Sequence, residues 1–433
     1  MTPLKIGLAG MGTVGQGVWR HLHGQADLLL RRCGRPLAIE QVAVRNPAKT
    51  AALNLPSGKV TARWQDLVAN PDLDVIVELI GGTTEAFDLV KGALEAGKHV
   101  VTANKALLAT HGAALFKLAA EKKRRLLYEA SVAGGIPLLQ SLREGLVANR
   151  ILAIYGIING TCNYILTQMS EQGLDYADVL REAKRLGYAE ADEALDVEGH
   201  DTAHKAVVLA ALAYGFWPSL DQVPTRGIAG LERQDIVFAQ TLGYEVKLLA
   251  ILKTTASGRV EVQVQPTLLP ARHVLASIKG VFNAVLVRGD VVGDTLFYGR
   301  GAGADATASA VLSDLALLAS SPVGSADAPI GLWSDHENVR LASREEVVAR
   351  HYLRLMVDDQ PGVLAQIATV LGRRKIGISS VIQPEGHPGD TAVPLILMIH
   401  DANTHDFEEA RLELEQLPVV KAPAVSLRVE DFS

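Results

Sequence analysis

Six carboxylates fall within the twelve residues from Glu190 to Asp201, at Glu190, Asp192, Glu193, Asp196, Glu198 and Asp201, and Lys205 follows one helical turn later. Asp201 and Lys205 have i,i+4 spacing and so share a helix face. The continuation Ala206 to Ala213 is apolar on every side, the pattern of a buried helix. Two chemistries suit the pair. It is either a helix-surface ion pair stabilising by roughly a few tenths of a kcal/mol, or a desolvated lysine held by a carboxylate for proton transfer. Burial lowers a lysine's pKa toward the range useful in general acid/base work, and a first-turn position near the positive end of the helix dipole acts the same way; the acid opposes both.

Other residues compete for chemical roles. Cys162 would serve as a thioester-forming nucleophile only with an activating base, which its sequence neighbours do not supply; the alternative is a small buried thiol. His200 and His204 have the spacing of a zinc pair, but the glutamate of H-E-x-x-H is absent. The acidic stretch also lacks the central glycine of a calcium loop.

The elements that must position these residues begin with a glycine turn. The run Leu4 to Ala9 leads into Gly10-Met-Gly12-Thr-Val-Gly15, and a helical stretch follows from Gln16 toward Leu30. This is G-x-G-x-x-G between strand and helix. Gly10 permits the turn, Gly12 lets the backbone approach a pyrophosphate, Gly15 lets the helix pack on the strand, and the helix N-terminus attracts the anion. Strands are expected at Leu37 to Val44, Asp74 to Ile80, Lys98 to Thr102 and Arg125 to Glu129, alternating with helices at Thr84 to Ala96 and Lys105 to Lys123. That alternation implies a doubly wound parallel sheet of Rossmann type. After the second strand an NAD site would carry an acid, yet the chain has Arg45, which suits the 2′-phosphate of NADP or is a solvated loop arginine. The loops Gly81-Gly82-Thr83-Thr84 and Thr102-Ala-Asn104-Lys105 face the same crevice. Lys105 either meets nicotinamide and substrate or starts a helix, where a cation is unfavourable.

Beyond Glu129 the expected strand Ile151 to Ile158 precedes the turn Asn159-Gly-Thr-Cys-Asn163, helices near Asn163 to Gln172 and Asp175 to Leu186, and then the acidic segment. Strand-like runs at Val246 to Thr254, Val260 to Gln265 and Ala284 to Val287 suggest a mixed sheet for substrate and subunit contacts. Tyr298-Gly-Arg-Gly-Ala-Gly-Ala304 reads as a second glycine turn before a helix from Ala306 to Ala319. Ser320 to Glu346 reads as a linker. The tail reads βαββαβ, a ferredoxin-like unit: strands at Tyr352 to Val357, Ile376 to Ile382, Val393 to His400 and Val425 to Val429, helices at Val363 to Arg373 and Asp406 to Leu417. Gly362, beside a helix N-terminus, suits an amino-acid carboxylate.

The 433 residues suffice for two or three domains. With 42 basic and 48 acidic residues the net charge of −6 gives no electrostatic case for nucleic acid or an anionic membrane, and small charged metabolites are the expected partners. The first strand begins too early to leave room for a leader, no apolar run reaches membrane-spanning length, and two distant cysteines argue for a reducing compartment, so a cytoplasmic location is expected.

Over essentially its whole length the chain resembles the homoserine dehydrogenases, in the bacterial form with a C-terminal ACT domain. The resemblance rests on Gly10 to Gly15, Ala103-Asn-Lys-Ala-Leu-Leu-Ala109, Glu129-Ala-Ser-Val-Ala-Gly-Gly-Ile136, Gly156-Ile-Ile-Asn-Gly-Thr-Cys-Asn-Tyr164, Gly187 to Lys205, Gly301-Ala-Gly303 and Asp359-Gln-Pro-Gly-Val-Leu364. It implies reversible hydride transfer between L-homoserine and L-aspartate 4-semialdehyde with NADP or NAD. Lys205 then corresponds to the acid/base lysine, Asp201 to its orienting and substrate-binding partner, and Lys105 to a residue at the substrate and cofactor junction. Gly187, Glu190 and Asp196 correspond to substrate contacts, and Gly10, Gly12, Thr13, Val14, Gly15, Arg45, Thr83 and Gly303 to cofactor contacts. Glu129, Val132, Gly134 and Ile136 match the family's hinge site for a monovalent cation, typically Na+, bound mostly through carbonyls. The tail implies inhibition by threonine, and the family implies a homodimer or homotetramer. Protonated Lys205 would serve aldehyde reduction and neutral Lys205 alcohol oxidation, so oxidation is expected to gain at alkaline pH.

The implied organisation is a dinucleotide domain over 1–130 plus about 305–320, a catalytic and dimerisation domain over 131–304, a linker over 321–349 and the ACT domain over 350–433. The chain departs from the family pattern at Glu193, where proline is common, and Pro394 falls inside an expected strand. Two other functions compete: a semialdehyde dehydrogenase using Cys162, and a non-catalytic amino-acid sensor.

Overall fold

The computed structural model describes residues 2–46, 58–189, 193–320, 340–386 and 391–432. They form two compact units, one of Met1–Gly160, Asp201–Val223 and Val281–Val339, the other of Thr161–His200, Pro224–Gly280 and Arg340–Ser433.

The first unit is built on short strands of Val, Ile and Leu, as a sheet covered on both faces requires. They are β1 (Leu4–Ala9), β2 (Leu37–Ala43), β3 (Val60–Thr61), β4 (Val75–Glu78), β5 (His99–Thr102) and β6 (Leu126–Leu127), parallel throughout and ordered β3-β2-β1-β4-β5-β6. The order reverses between β1 and β4, which opens a crevice beyond their C-terminal ends, the usual ligand position in such sheets. The helix Ala304–Ser320 returns to this unit from far along the chain. Its Val311, Leu315 and Leu318 pack with Leu4, Leu8, Val18 and Leu22 in one core. Gly17 makes the approach possible, since a Cβ there would stand 2.8 Å from the Ala304 carbonyl.

The same unit holds β7 (Ile151–Ile157). After two strands of the other unit, β8 (Tyr244–Thr254) and β9 (Val260–Pro270), it also holds the hairpin of β10 (Phe282–Gly289) and β11 (Gly293–Arg300), with β10 antiparallel to both β7 and β11.

The second unit contains β8 and β9 and the tail strands β12 (Val348–Val357), β13 (Ile378–Ile382), β14 (Val393–Asn403) and β15 (Val425–Val429), ordered β8-β9-β15-β12-β14-β13. The tail has the expected ferredoxin-like fold. Helices Val363–Arg373 and Thr404–Glu415 bury Ile367, Val370, Phe407 and Leu414 against Leu353, Leu355 and Leu397. Its last strand runs parallel to β9, pairing Arg428 with Thr267 and Val429 with Leu268 among otherwise antiparallel neighbours, so the sheet is mixed.

Several expectations need correction. The helix after the glycine turn is two helices, Thr13–Gly24 and Ala26–Cys33, because Gln25 leaves helical geometry, and the second helix stops at left-handed Gly34. The strand expected to Glu129 ends at Leu127, and Glu129–Ser131 turn as a 3-10 helix. Tyr298 to Arg300 belong to β11, so the glycine turn proper begins at Gly301. Pro394 does lie inside β14: β12 pairs with it, but β13 reaches only to Ile396, so no neighbouring strand needs the missing donor on that side. The greater part of the expected linker, 321–339, lies outside the described residues.

Candidate active site

At the crevice Gly10 has φ +101°, and a Cβ there would lie 2.4 Å from the Leu79 carbonyl; at Gly15 it would lie 2.1 Å from the Gly10 carbonyl. Neither position admits a side chain. Gly12 caps Thr13–Gly24 without a side-chain hydrogen bond and faces open space, leaving the first N–H groups of the helix, at Thr13 and Val14, to an anion. Gly303, at φ +117°, precedes the returning helix and also faces open space. Half-buried Thr83 follows two left-handed glycines, Gly81 and Gly82, beyond β4. Arg45 extends from the end of β2 into solvent and pairs with Glu85 at 2.5 Å.

In the same unit, β7 delivers Ile158 and Asn159, the buried helix His200–Tyr214 delivers Asp201 and Lys205, and the helix Lys105–Lys122 delivers Lys105 from its first position. Asp201 is 5 % exposed and Lys205 9 %. The Lys205 Nζ donates to Asp201 Oδ2 at 2.6 Å and to the Ile158 carbonyl at 2.6 Å. Asn159 Nδ2 donates to Asp201 Oδ2 at 2.9 Å, and Lys105 Nζ stands 3.2 Å from Asp201 Oδ1. Burial alone would raise the Asp201 carboxyl. The adjacent Lys205 and Lys105 cations and the hydrogen bonds from Lys205 and Asn159 outweigh it and hold the group at about 2. Asp201 is therefore a fixed anion that orients two lysines. An ammonium has three N–H donors. Among the described residues two of those on Lys205 have acceptors, which leaves one for an incoming oxygen.

Asn159, the Ile158 carbonyl and the Asn104 cap of the Lys105 helix were not singled out from sequence, although all three lie in or beside the quoted motifs.

Two of the expected substrate contacts, Gly187 and Asp196, lie in the second unit. Gly187, at φ +75°, ends the helix Tyr176–Arg185, donating to the Lys184 carbonyl. Thr161 Oγ1 donates to the Tyr188 carbonyl at 2.6 Å and to Asp196 Oδ2 at 3.2 Å, fixing both sides of the acidic loop. Glu190 lies outside the described residues. Glu193 pairs with Lys184 at 2.6 Å, and that hydrogen bond holds its carboxyl below the usual range. Cys162 is fully buried with Sγ donating to the Asp196 carbonyl, an arrangement that suits a thiol rather than a nucleophilic thiolate. His200 pairs with Glu198, and no group of three His, Cys, Asp or Glu that could hold a metal ion occurs among the described residues.

The expected cation turn is buried. The Glu129 carboxylate accepts the N–H groups of Leu139 (2.9 Å) and Gln140 (2.7 Å), and the Glu129 N–H donates to Asp314. Ala133 and Gly134 are consecutive left-handed residues, and Ile136 closes the turn onto the Ala133 carbonyl. The carbonyls of Val132 and Gly134 accept no backbone N–H among the described residues.

Three family models match the chain: "Homoserine dehydrogenase, NAD binding domain" over residues 10–129, "Homoserine dehydrogenase" over 137–316 and "ACT domain" over 351–419. A homoserine dehydrogenase of Pseudomonas aeruginosa is 45% identical over 447 residues, covering 100% of both chains. A crystal structure of a homoserine dehydrogenase from Thiobacillus denitrificans superposes with a TM-score of 0.95 at 41% identity, covering 100% of this chain and 99% of that one. A hyperthermophilic archaeal homoserine dehydrogenase in complex with NADPH matches 73% of this chain and 98% of its own, with a TM-score of 0.63 at 27% identity.

Proposed function

The chain belongs to the homoserine dehydrogenase family, and from that membership we propose how its NAD(P)-dependent oxidation and reduction between L-homoserine and L-aspartate 4-semialdehyde is carried out. When bound, the nicotinamide cofactor takes or gives the hydride. The chain itself manages the proton. Lys205, tied to Asp201 and the Ile158 carbonyl, directs its remaining N–H position at the substrate oxygen. As a neutral amine, with its lone pair at that position, it takes the hydroxyl proton as homoserine is oxidised; as the ammonium it returns the proton as the aldehyde is reduced. Asp201 stays ionised through the cycle, so it holds the lysine's direction. Lys105, on the other Asp201 oxygen, contacts substrate where it adjoins the cofactor. The carboxylates Glu190 and Asp196, with the Gly187 backbone, receive the amino-acid end of homoserine.

The remaining N–H position on Lys205 carries this reading, because among the described residues it has no acceptor, as a group held ready for a substrate oxygen requires.

Arg45, where an NAD site would have an acid, supports NADP; it would exchange Glu85 for the 2′-phosphate. Thr13, Val14, Thr83 and Gly303 line the remainder of the cofactor path. A monovalent cation, Na+, suits the turn at Glu129, Val132, Gly134 and Ile136 through carbonyl oxygens, since the Glu129 carboxylate is already occupied by two amides. Gly362, the left-handed cap of Val363–Arg373 with no side-chain hydrogen bond, suits the carboxylate of threonine as effector. The edge strand β11, with exposed Leu296 and Tyr298 beside Val291 and Val292, suits subunit pairing into a homodimer or homotetramer. No helix among the described residues is long and apolar enough to cross a membrane, and Cys33 and Cys162, thiols rather than halves of a disulfide, suit the cytoplasm.

One assay tests the activity, the cofactor preference and the effector together: homoserine-dependent reduction of NADP and NAD, with and without threonine. Faster turnover with NADP and inhibition by threonine are expected. Equal use of both cofactors would remove the role given to Arg45, and indifference to threonine would remove the effector.

A further inference from the structure

β4 is an interior strand of the parallel sheet, yet it ends in a carboxylate with no accessible surface, Glu78 at 0 %. The preceding Val75, Ile76 and Val77 are apolar, as that position demands, so a carboxylate there is costly unless its oxygens are satisfied. Oε1 accepts the N–H groups of Ile80 at 2.9 Å and Gly81 at 3.0 Å, and Oε2 accepts the Thr102 hydroxyl at 2.5 Å. Thr102 Oγ1 in turn accepts the Asn104 N–H at 3.0 Å. Asn104 then closes the circuit. Its Nδ2 donates to the Gly82 carbonyl at 2.7 Å, while its Oδ1 caps the next helix by accepting the Leu107 N–H at 3.0 Å. Gly81 and Gly82 both sit at φ +73°. Glycine adopts this conformation and its mirror about equally, so outside bonds must select it.

We propose that Glu78 is a positioning residue for the proton-transfer site: the ring it closes through Thr102, Asn104 and Gly82 fixes the start of the Lys105 helix and so fixes Lys105 against Asp201. The inference rests on the roles given above to Lys105 and Asp201. Asn104 is at once a member of the ring and the cap of the helix whose first residue is Lys105. Slack in the ring therefore moves the helix end directly. The Nζ of Lys105 has to meet Asp201 Oδ1 at 3.2 Å, and a misplacement of about 1 Å in a reacting constellation can cost about 10²-fold in rate. An apolar residue at 78 would satisfy the sheet equally well, but it would leave the Ile80 and Gly81 amides and the Thr102 hydroxyl without their acceptor.

The test uses the full-length enzyme with Thr102→Val, which removes the hydroxyl and keeps the shape, Thr102→Ser, which restores it, and Glu78→Gln, which puts an amide opposite Thr102. Each is measured alone and combined with Lys105→Ala, for kcat and KM in homoserine oxidation and for cofactor dissociation. Thr102→Val and Glu78→Gln should lower kcat by about tenfold or more, with cofactor affinity within about threefold and Thr102→Ser within about twofold of wild type. Once Lys105 is alanine, Thr102→Val should cost nothing further. Equal losses from Thr102→Val with and without Lys105 would overturn the link while leaving the role of Lys105 standing. Wild-type turnover in Lys105→Ala would overturn both. A Thr102→Val enzyme with a lowered Tm but unchanged kcat would show the ring to be structural only, and would also overturn the proposal.

Discussion

Asp201 is where charge and geometry depend most on one another. Its Oδ2 takes Lys205 and Asn159, its Oδ1 takes Lys105, and little of it reaches solvent. Asp201→Asn keeps the shape but leaves two lysines facing a neutral amide, and removing one partner of a buried pair typically costs about 3–5 kcal/mol. A loss of that order in the unfolding free energy, read from denaturant curves, is expected, together with a fall in kcat larger than any rise in KM; wild-type stability would contradict the burial argument. Because the folded carboxyl is held at about 2, below its ordinary value of 3.8, its stabilising contribution is complete above that ordinary value and is lost only as pH falls toward about 2. The Asp201–Lys205 pair was legible in the sequence because i,i+4 spacing is local. Asn159 and the Ile158 carbonyl come from 42 and 47 residues away, and only the fold brings them in.

Among the elements, those with a regular hydrophobic period were the ones the sequence revealed. β1, the glycine turn, the helix Val363–Arg373 and β15 stand where the pattern puts them. β11 did not show itself: its residues alternate between exposed and half-buried without one fully buried side chain, and its glycines read as turn. β3 is two residues long and offers no period at all. β12 carries a separate consequence. Its His351 is buried, stacks on Phe407 with ring centroids 3.8 Å apart, and has no partner for Nε2 among the described residues. Burial first, and then the Arg428 cation, push its pKa down to about 3. Between about 3 and the ordinary 6.5 the unfolded chain therefore binds a proton that the folded chain refuses, so stability is lost as pH falls below 6.5. His351→Phe should flatten the fall in Tm between pH 6.5 and 4 as measured by thermal melts; an unchanged slope would show that other groups set it.

For the molecule as a whole, the tail is joined to the β8–β9 pair of its own unit rather than merely tethered to it. β15 lies between β12 and β9, and in the same unit Arg428 reaches Glu261 on β9 as well as Glu430. Arg354 on β12 grips Asp235 with two hydrogen bonds at 2.6 and 3.0 Å, both residues buried. Ending the chain before residue 340 would strip β9 of β15, leaving an open sheet edge, and would remove the arginines that pair with Glu261 and Asp235. Such a truncation should aggregate or melt well below the full-length protein; equal Tm and solubility would contradict the joined sheet. The three-part order of the chain was readable from its motifs, but the parallel β9–β15 pairing was not, because it links segments about 160 residues apart. The central claim, that the Lys205 amine moves the proton, is tested most directly by Lys205→Ala, with homoserine oxidation and cofactor binding measured on the same preparation. A loss in kcat of about 10²–10⁴-fold with cofactor affinity retained is predicted; wild-type turnover in an enzyme that still binds cofactor would contradict it.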